Sequence, residues 1–178
     1  MAINLDISVD NGLKKGSQTP RYSHHPTYFT TAADDAIDLA AVAGLNLMPW
    51  QEYVLRNSLG EKPDGKWASF VNCLVIPRQN GKNALIEARQ LAGMYLFGED
   101  VQTHTAHEAQ TAAKAQTALS QRILSTPALA EYIEGYDGDK DQTLKDIPGF
   151  RMGNGKHIKG VFRVNGKRVE RIIEYIAR

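Results

Sequence analysis

Only one of the 178 residues is a cysteine, Cys73, which excludes an internal disulfide and any metal site built from several thiolates. No apolar run approaches the roughly 20 residues that cross a bilayer. The first residues also lack the charged start and apolar core of a secretory signal, so a cytosolic protein is expected. Excess charge of one sign is missing as well. With a formal net charge of +1, overall electrostatics gives no reason to expect nucleic acid, and only a local basic face would. The balance of 42% hydrophobic to 23% charged residues is that of a globular chain, and at this length one domain with a real core fits while two would be tight.

What the chain does carry is one stretch, Val75-Ile76-Pro77-Arg78-Gln79-Asn80-Gly81-Lys82-Asn83, where an apolar strand is expected to run into a tight turn that opens a helix. Residues 67–76, rich in Val, Phe, Ile and Trp and closing in Leu74, Val75 and Ile76, read as a strand buried on both faces. Cys73 would be a small apolar thiol inside it. Downstream, Ala84, Leu85, Ala88, Leu91, Ala92, Tyr95 and Leu96 recur at helical spacing, and Gly98 stands where that helix should stop. Such a junction suits phosphate. Amides at a helix start are unpaired, the helix dipole adds positive charge, Gly81 permits close approach, and Lys82 supplies a point charge toward the β and γ phosphates.

The usual loop is G-x-x-x-x-G-K-[ST]; here Ile76 replaces the first Gly, and Asn83 the hydroxyl residue that binds magnesium. The other Gly-Lys pairs, Gly65-Lys66, Gly155-Lys156 and Gly166-Lys167, read as polar turns. On these residues alone, a nucleoside-triphosphate site and a plain strand-turn-helix are equally open. The phosphate reading requires a buried parallel strand leading into the loop.

Along the rest of the chain, residues 1–30 are expected to form a flexible tail, with His24 and His25 solvated rather than metal-bound. Thr31 to Asp34 resembles a capping box, followed by Ala33, Ala36, Ile37, Ala40 and Ala41 at helical spacing up to Gly44. Pro49 suits the first turn of a second helix carrying Trp50, Tyr53 and Val54 on one side. Gln51 there fits either an adenine edge or plain solvent. Residues 101–106 read as another strand and Ala109, Ala112, Ala115, Leu119 and Ile123 as its helix, an order that implies a parallel sheet.

His104 and His107 are expected to point apart, and Pro127 to begin a short helix with Leu129, Tyr132 and Ile133. Residues 137–141 fail the calcium-loop pattern and read as a solvated loop. Asn165-Gly166 is a two-residue hairpin turn; beyond it a strand is favoured over a helix.

Taken together, Leu47-Met48-Pro49-Trp50-Gln51, Ile76-Pro77-Arg78-Gln79-Asn80-Gly81-Lys82-Asn83 and Thr105-Ala106-His107-Glu108 resemble, in order and separation, the N-terminal ATPase portion of the large subunit of tailed-phage terminases. The resemblance implies an α/β, P-loop NTPase-like three-layer sandwich with a mostly parallel sheet, preceded by a helical segment. Residues 31–178 would form the front part of the ATPase domain, without the nuclease domain.

It further implies ATP and magnesium as ligands, with Trp50 and Gln51 flanking the adenine. Gln79, Asn80, Gly81, Lys82 and Asn83 would wrap the phosphates, Arg78 and Lys82 would act catalytically, and the Asn83 amide oxygen would reach the metal. Implied partners are duplex DNA, a terminase small subunit and a portal protein, in the host cytoplasm and transiently at the procapsid.

The family's second motif, an apolar run ending in Asp-Glu, is absent, and so is its acidic nuclease cluster. The expectation is therefore a fragment that stops short of that motif, binds ATP, and needs a second chain to hydrolyse it. Two alternatives stand beside it: another helicase-like P-loop ATPase, or a non-catalytic nucleic-acid or protein-interaction module. The second would use Arg151, Lys156, Lys159, Arg163, Lys167, Arg168 and Arg171 as a basic region.

Overall fold

The computed structural model describes residues 16–139, 141–152 and 156–177. Expectations for residues 1–15, Lys140 and Gly155 lie outside the described residues. The first helix, α1 (Ala33–Val42), buries the small side chains Ala33, Ala36 and Ala40, as its spacing predicts. Thr31 does assist its start, its Oγ accepting the Ala33 N–H at 3.2 Å. The expected reciprocal bond from Asp34 does not form, because Asp34 pairs with Arg56 at 3.0 Å instead. That arginine belongs to α2 (Pro49–Ser58), which begins with proline at its first turn and buries Gln51 and Leu55. A short antiparallel ribbon, β1 (Thr30–Thr31) with β2 (Gly60–Glu61), joins the start of α1 to the end of α2.

Helix α3 (Lys82–Tyr95) is buried on two sides. Ala88 and Ala92 meet the small residues of α1, where the lack of bulk lets the helices approach, while Leu91 and Met94 enter the main core. The helix ends before Gly98, whose φ of +71° suits glycine at the turn that follows.

The main sheet takes β3 (Val101–Ala106), β4 (Phe150–Arg151), β5 (His157–Val164) and β6 (Lys167–Ala177) in the order β3-β6-β5-β4. Helix α4 (Ala109–Leu124) packs on it, followed by α5 (Pro127–Ala130), which stops before Tyr132 and Ile133. Asn165 and Gly166 have φ of +51° and +76°, both central residues left-handed as a hairpin turn of the expected kind needs. Beyond them the chain is a strand, with Ile173 and Tyr175 buried on one face.

Two expectations about the sheet fail. It is mixed rather than mostly parallel, since among the described residues only β3 and β6 run parallel, while β5 pairs antiparallel with β6 across the hairpin and with β4 on its other side. Residues 67–76 do not form a strand either. Trp67 makes one isolated bridge to Glu61, residues 71–77 have no regular structure, and Phe70, Val71, Cys73 and Val75 are exposed. A strand needs a neighbour to receive its N–H and C=O groups, and beyond the contact of residues 67–68 with β2 no strand among the described residues adjoins this one.

Gln116 of α4 ties the sheet's far side to the helix. Fully buried, its Nε2 donates to the carbonyls of Arg151 (2.7 Å) and His157 (3.0 Å), whereas its own Oε1 and the buried Ser120 hydroxyl one turn on have no hydrogen-bond partner among the described residues. Gln116→Leu should therefore cost about 1–3 kcal/mol by leaving both carbonyls short of a donor, while Ser120→Ala should be neutral or slightly stabilising. Urea unfolding of both variants checks this; equal losses would refute the assignment.

Candidate functional site

The candidate site is the exposed loop 77–81 and the first turn of α3. Gln79 (φ +62°) and Gly81 (φ +75°) are both left-handed and bracket Asn80, the backbone pattern that gathers successive N–H groups into an anion-accepting hollow. Gly81 is the N-cap of α3. No side chain caps the helix there, and no acid stands in its first turn. Lys82 occupies that turn, exposed, where the helix dipole disfavours a cation by about 0.3–1 kcal/mol. An anion at the loop would reverse that penalty. Neither Lys82 nor the exposed Arg78 has an ion-pair partner among the described residues, and Asn83 is exposed beside them.

Gln51 reaches this loop from α2. It is buried to 3% exposure, its Oε1 accepts the Met48 N–H at 2.7 Å, and its Nε2 donates to the Gly81 carbonyl at 2.7 Å. One N–H and one lone pair of the amide are thus engaged with backbone, while a second of each is left on a side chain otherwise enclosed. Trp50, half-buried on the same turn, lies next to it in the chain. Sequence reasoning missed the clamp, yet a signal existed. Gln51 is the third residue of a proline-started helix, the position from which a Gln side chain bonds back to the N-cap backbone. A side chain at Gly81 would meet Gln51 Nε2 at 3.0 Å in a backbone conformation that L-residues rarely adopt.

Below the loop lies a groove of about 900 Å³, walled by α2, residues 69–74, the Lys82, Leu85, Ile86 and Arg89 side of α3, and β3 up to Thr105. Lys82 and Thr105, from two of the motifs singled out in the sequence, line the same space. His107 and Glu108 do not; they form an exposed pair at 3.7 Å. Arg89 is neutralised by Glu99, at 3.0 Å for one of its bonds, so Lys82 is the unpaired cation of the groove among the described residues. His104 stacks on Tyr175 with ring centroids 5.1 Å apart and lies 3.4 Å from the Gln90 amide. Burial holds the His104 imidazole below its ordinary pKa and pushes the Tyr175 phenol up.

Gln51→Ala should destabilise the chain by about 1–3 kcal/mol and speed amide exchange across residues 79–84, because two backbone partners lose their bonds together. Unchanged exchange there would show that the loop does not depend on the clamp. The His104 shift has a pH consequence of fixed sign. The unfolded chain takes up the proton more readily, so stability is full above the ordinary value of about 6.5 and falls as pH drops through it toward the depressed folded value. Thermal melts between pH 8 and pH 5 should show this loss shrinking in His104→Gln. No family model, curated protein or solved structure matches the chain.

Proposed function

We propose that the chain binds ATP as the front part of a P-loop ATPase domain of the terminase large-subunit kind, serving a motor that moves duplex DNA. One observation carries the reading. Two segments 30 residues apart, singled out separately in the sequence, are joined by the bond from Gln51 to the Gly81 carbonyl. In this reading the amides around Gly81 seat the triphosphate tail, Lys82 neutralises its β and γ phosphates, and Arg78 lies over the γ-phosphate. Trp50 borders the base. Gln51 holds the loop in shape beside it.

Segment 67–76 weighs against this reading, since the buried parallel strand that the phosphate loop requires is not formed among the described residues. Its apolar residues Leu74, Val75 and Ile76 suit a strand covered on both faces, and it runs straight into the loop. The reading therefore includes a larger, three-layer sheet in which this segment gains neighbours. Magnesium fits poorly on protein groups alone: Asn83 offers a single amide oxygen, and the described residues hold no cluster of three or more His, Cys, Asp or Glu. Mg²⁺ would then be held chiefly by the nucleotide phosphates and water, as it commonly is. Hydrolysis needs a positioned water and metal, and the carboxylate pair that positions them would come from residues other than these 178.

Titration with a fluorescent ATP analogue should show saturable binding that weakens about tenfold or more in Lys82→Ala, the loss of one charge-assisted contact. Phosphate release by the chain alone should stay at background. Binding indifferent to Lys82, or no binding at all, removes the reading; steady turnover that vanishes in Lys82→Ala removes the requirement for carboxylates from outside these residues.

A further inference from the structure

The basic residues near the end of the sequence are not equivalent once folded. Lys159 and Arg168 share the carboxylates of Glu134 and Glu170 at 3.0–3.5 Å. Arg171 turns inward: its guanidinium sits 4.3 Å above the Phe162 ring and donates to the Met94 carbonyl at 2.6 Å, while its buried Nε has no acceptor. Arg163 and Lys167 remain exposed beside the hairpin tip, with no ion-pair partner among the described residues. Arg163 also faces Arg168 directly across the hairpin, an arrangement of like charges that costs stability unless an anion is present.

Against this tip lies a second hollow of about 370 Å³, lined by Tyr95, Tyr132, Phe162, Arg163, Val164 and Arg171. Its planar groups form a column. The Tyr132 and Phe162 rings are stacked at 5.0 Å and 16°, and the Arg171 guanidinium covers Phe162. Tyr95 closes the side edge-on, at 75° to Phe162 and 80° to Tyr132. Gly160 makes the column possible, since a β-carbon there would lie 2.7 Å from the Phe162 ring. Tyr132 is held by the Val161 N–H, which donates to its carbonyl at 2.6 Å, yet its side keeps 38% of its surface exposed.

We propose that this hollow takes an unpaired nucleobase of a single-stranded nucleic acid, stacked on the exposed Tyr132 ring at the open end of the column, its flanking phosphates at Lys167 and Arg163. The volume is at the small end of the range for ligand pockets, about 300–1,000 Å³, and suits one base. Stacking requires a base free of its duplex neighbours, which favours a single strand over a duplex. Purines, with the larger ring face, suit such a stack better than pyrimidines. The site is remote in sequence from Lys82 and does not rest on the ATPase reading.

Fluorescence anisotropy with a short labelled strand of alternating thymidine and deoxyguanosine tests it, alongside the same sequence as RNA, an all-thymidine strand and a duplex. The single strands should bind more tightly than the duplex, and the purine-containing ones more tightly than all-thymidine; the DNA and RNA arms tell which backbone is used. Tyr132→Leu should weaken binding about fivefold or more, by loss of one stacking contact. Lys167→Ala, at an exposed position, should lower the slope of affinity against salt by about 0.7, one phosphate's share in a single strand. Absence of binding at low salt, a duplex preference, or a folded Tyr132→Leu that binds as the parent does would overturn the assignment.

Discussion

Helix α3 is covered on two adjoining faces by two separate clusters, and what is positioned in this molecule hangs on that double burial. Leu91 and Met94 enter the core formed with α4 and the sheet, each contributing about 1.5–3 kcal/mol, while Ala88 and Ala92 sit against the alanines of α1. A helix pinned from both sides cannot roll or slide without opening one cluster. Its first turn is therefore held in place even though loop 77–81 is exposed and makes few contacts of its own. Gln51 adds the last constraint, from a helix that packs on α3 and α1 together. The rigidity of the candidate site is thus borrowed from alanines and leucines a turn or two away.

Among the described residues, the same arrangement leaves two stretches of backbone short of partners. One edge of β3 faces the groove, and its sequence Val-Gln-Thr-His-Thr-Ala carries no lysine, proline or acid to discourage pairing. Across that groove runs the segment holding Phe70, Val71 and Val75, apolar and exposed. Surface of this kind is costly in water and prone to association, so these two walls are where the described fold is least self-sufficient. That is the physical content of reading the chain as part of a larger sheet.

These features also mark where the sequence was legible. Helices α1, α3 and α4 follow from apolar residues at helical spacing, because each buries one stripe and that stripe is local information. The hairpin follows from Asn165-Gly166, where the required backbone conformation selects those residue types. Residues 67–76 misled because β-propensity records fitness for a half-buried pleated surface, and whether such a surface exists depends on distant strands. The parallel sheet was inferred from the alternation of strands and helices, and failed because the last two strands are joined by a tight turn and must run antiparallel. Cys73 was placed inside for the same reason as its strand, and is exposed with it. The structural use of Gln51 was hidden by a polar identity that suited a ligand equally well.

Charge gave the weakest guidance, and the C-terminal hairpin shows why. In sequence, Lys159, Arg163, Lys167, Arg168 and Arg171 look like one basic block. The pleat separates them, since alternate residues of a strand face opposite ways and the register puts Lys159, Arg163, Arg168 and Glu170 on one face, with Phe162, Lys167 and Arg171 on the other. Glu134 and Glu170 then neutralise the residues within reach, and burial on Phe162 takes Arg171 out of solvent. What is left for a polyanion is a pair of cations at the tip beside an aromatic column, a smaller and more selective feature than the count of positive residues suggests. A block of charge has only as much attraction as the fold leaves unpaired, and here the pairing leaves it at the one edge where a flat ring can also stack.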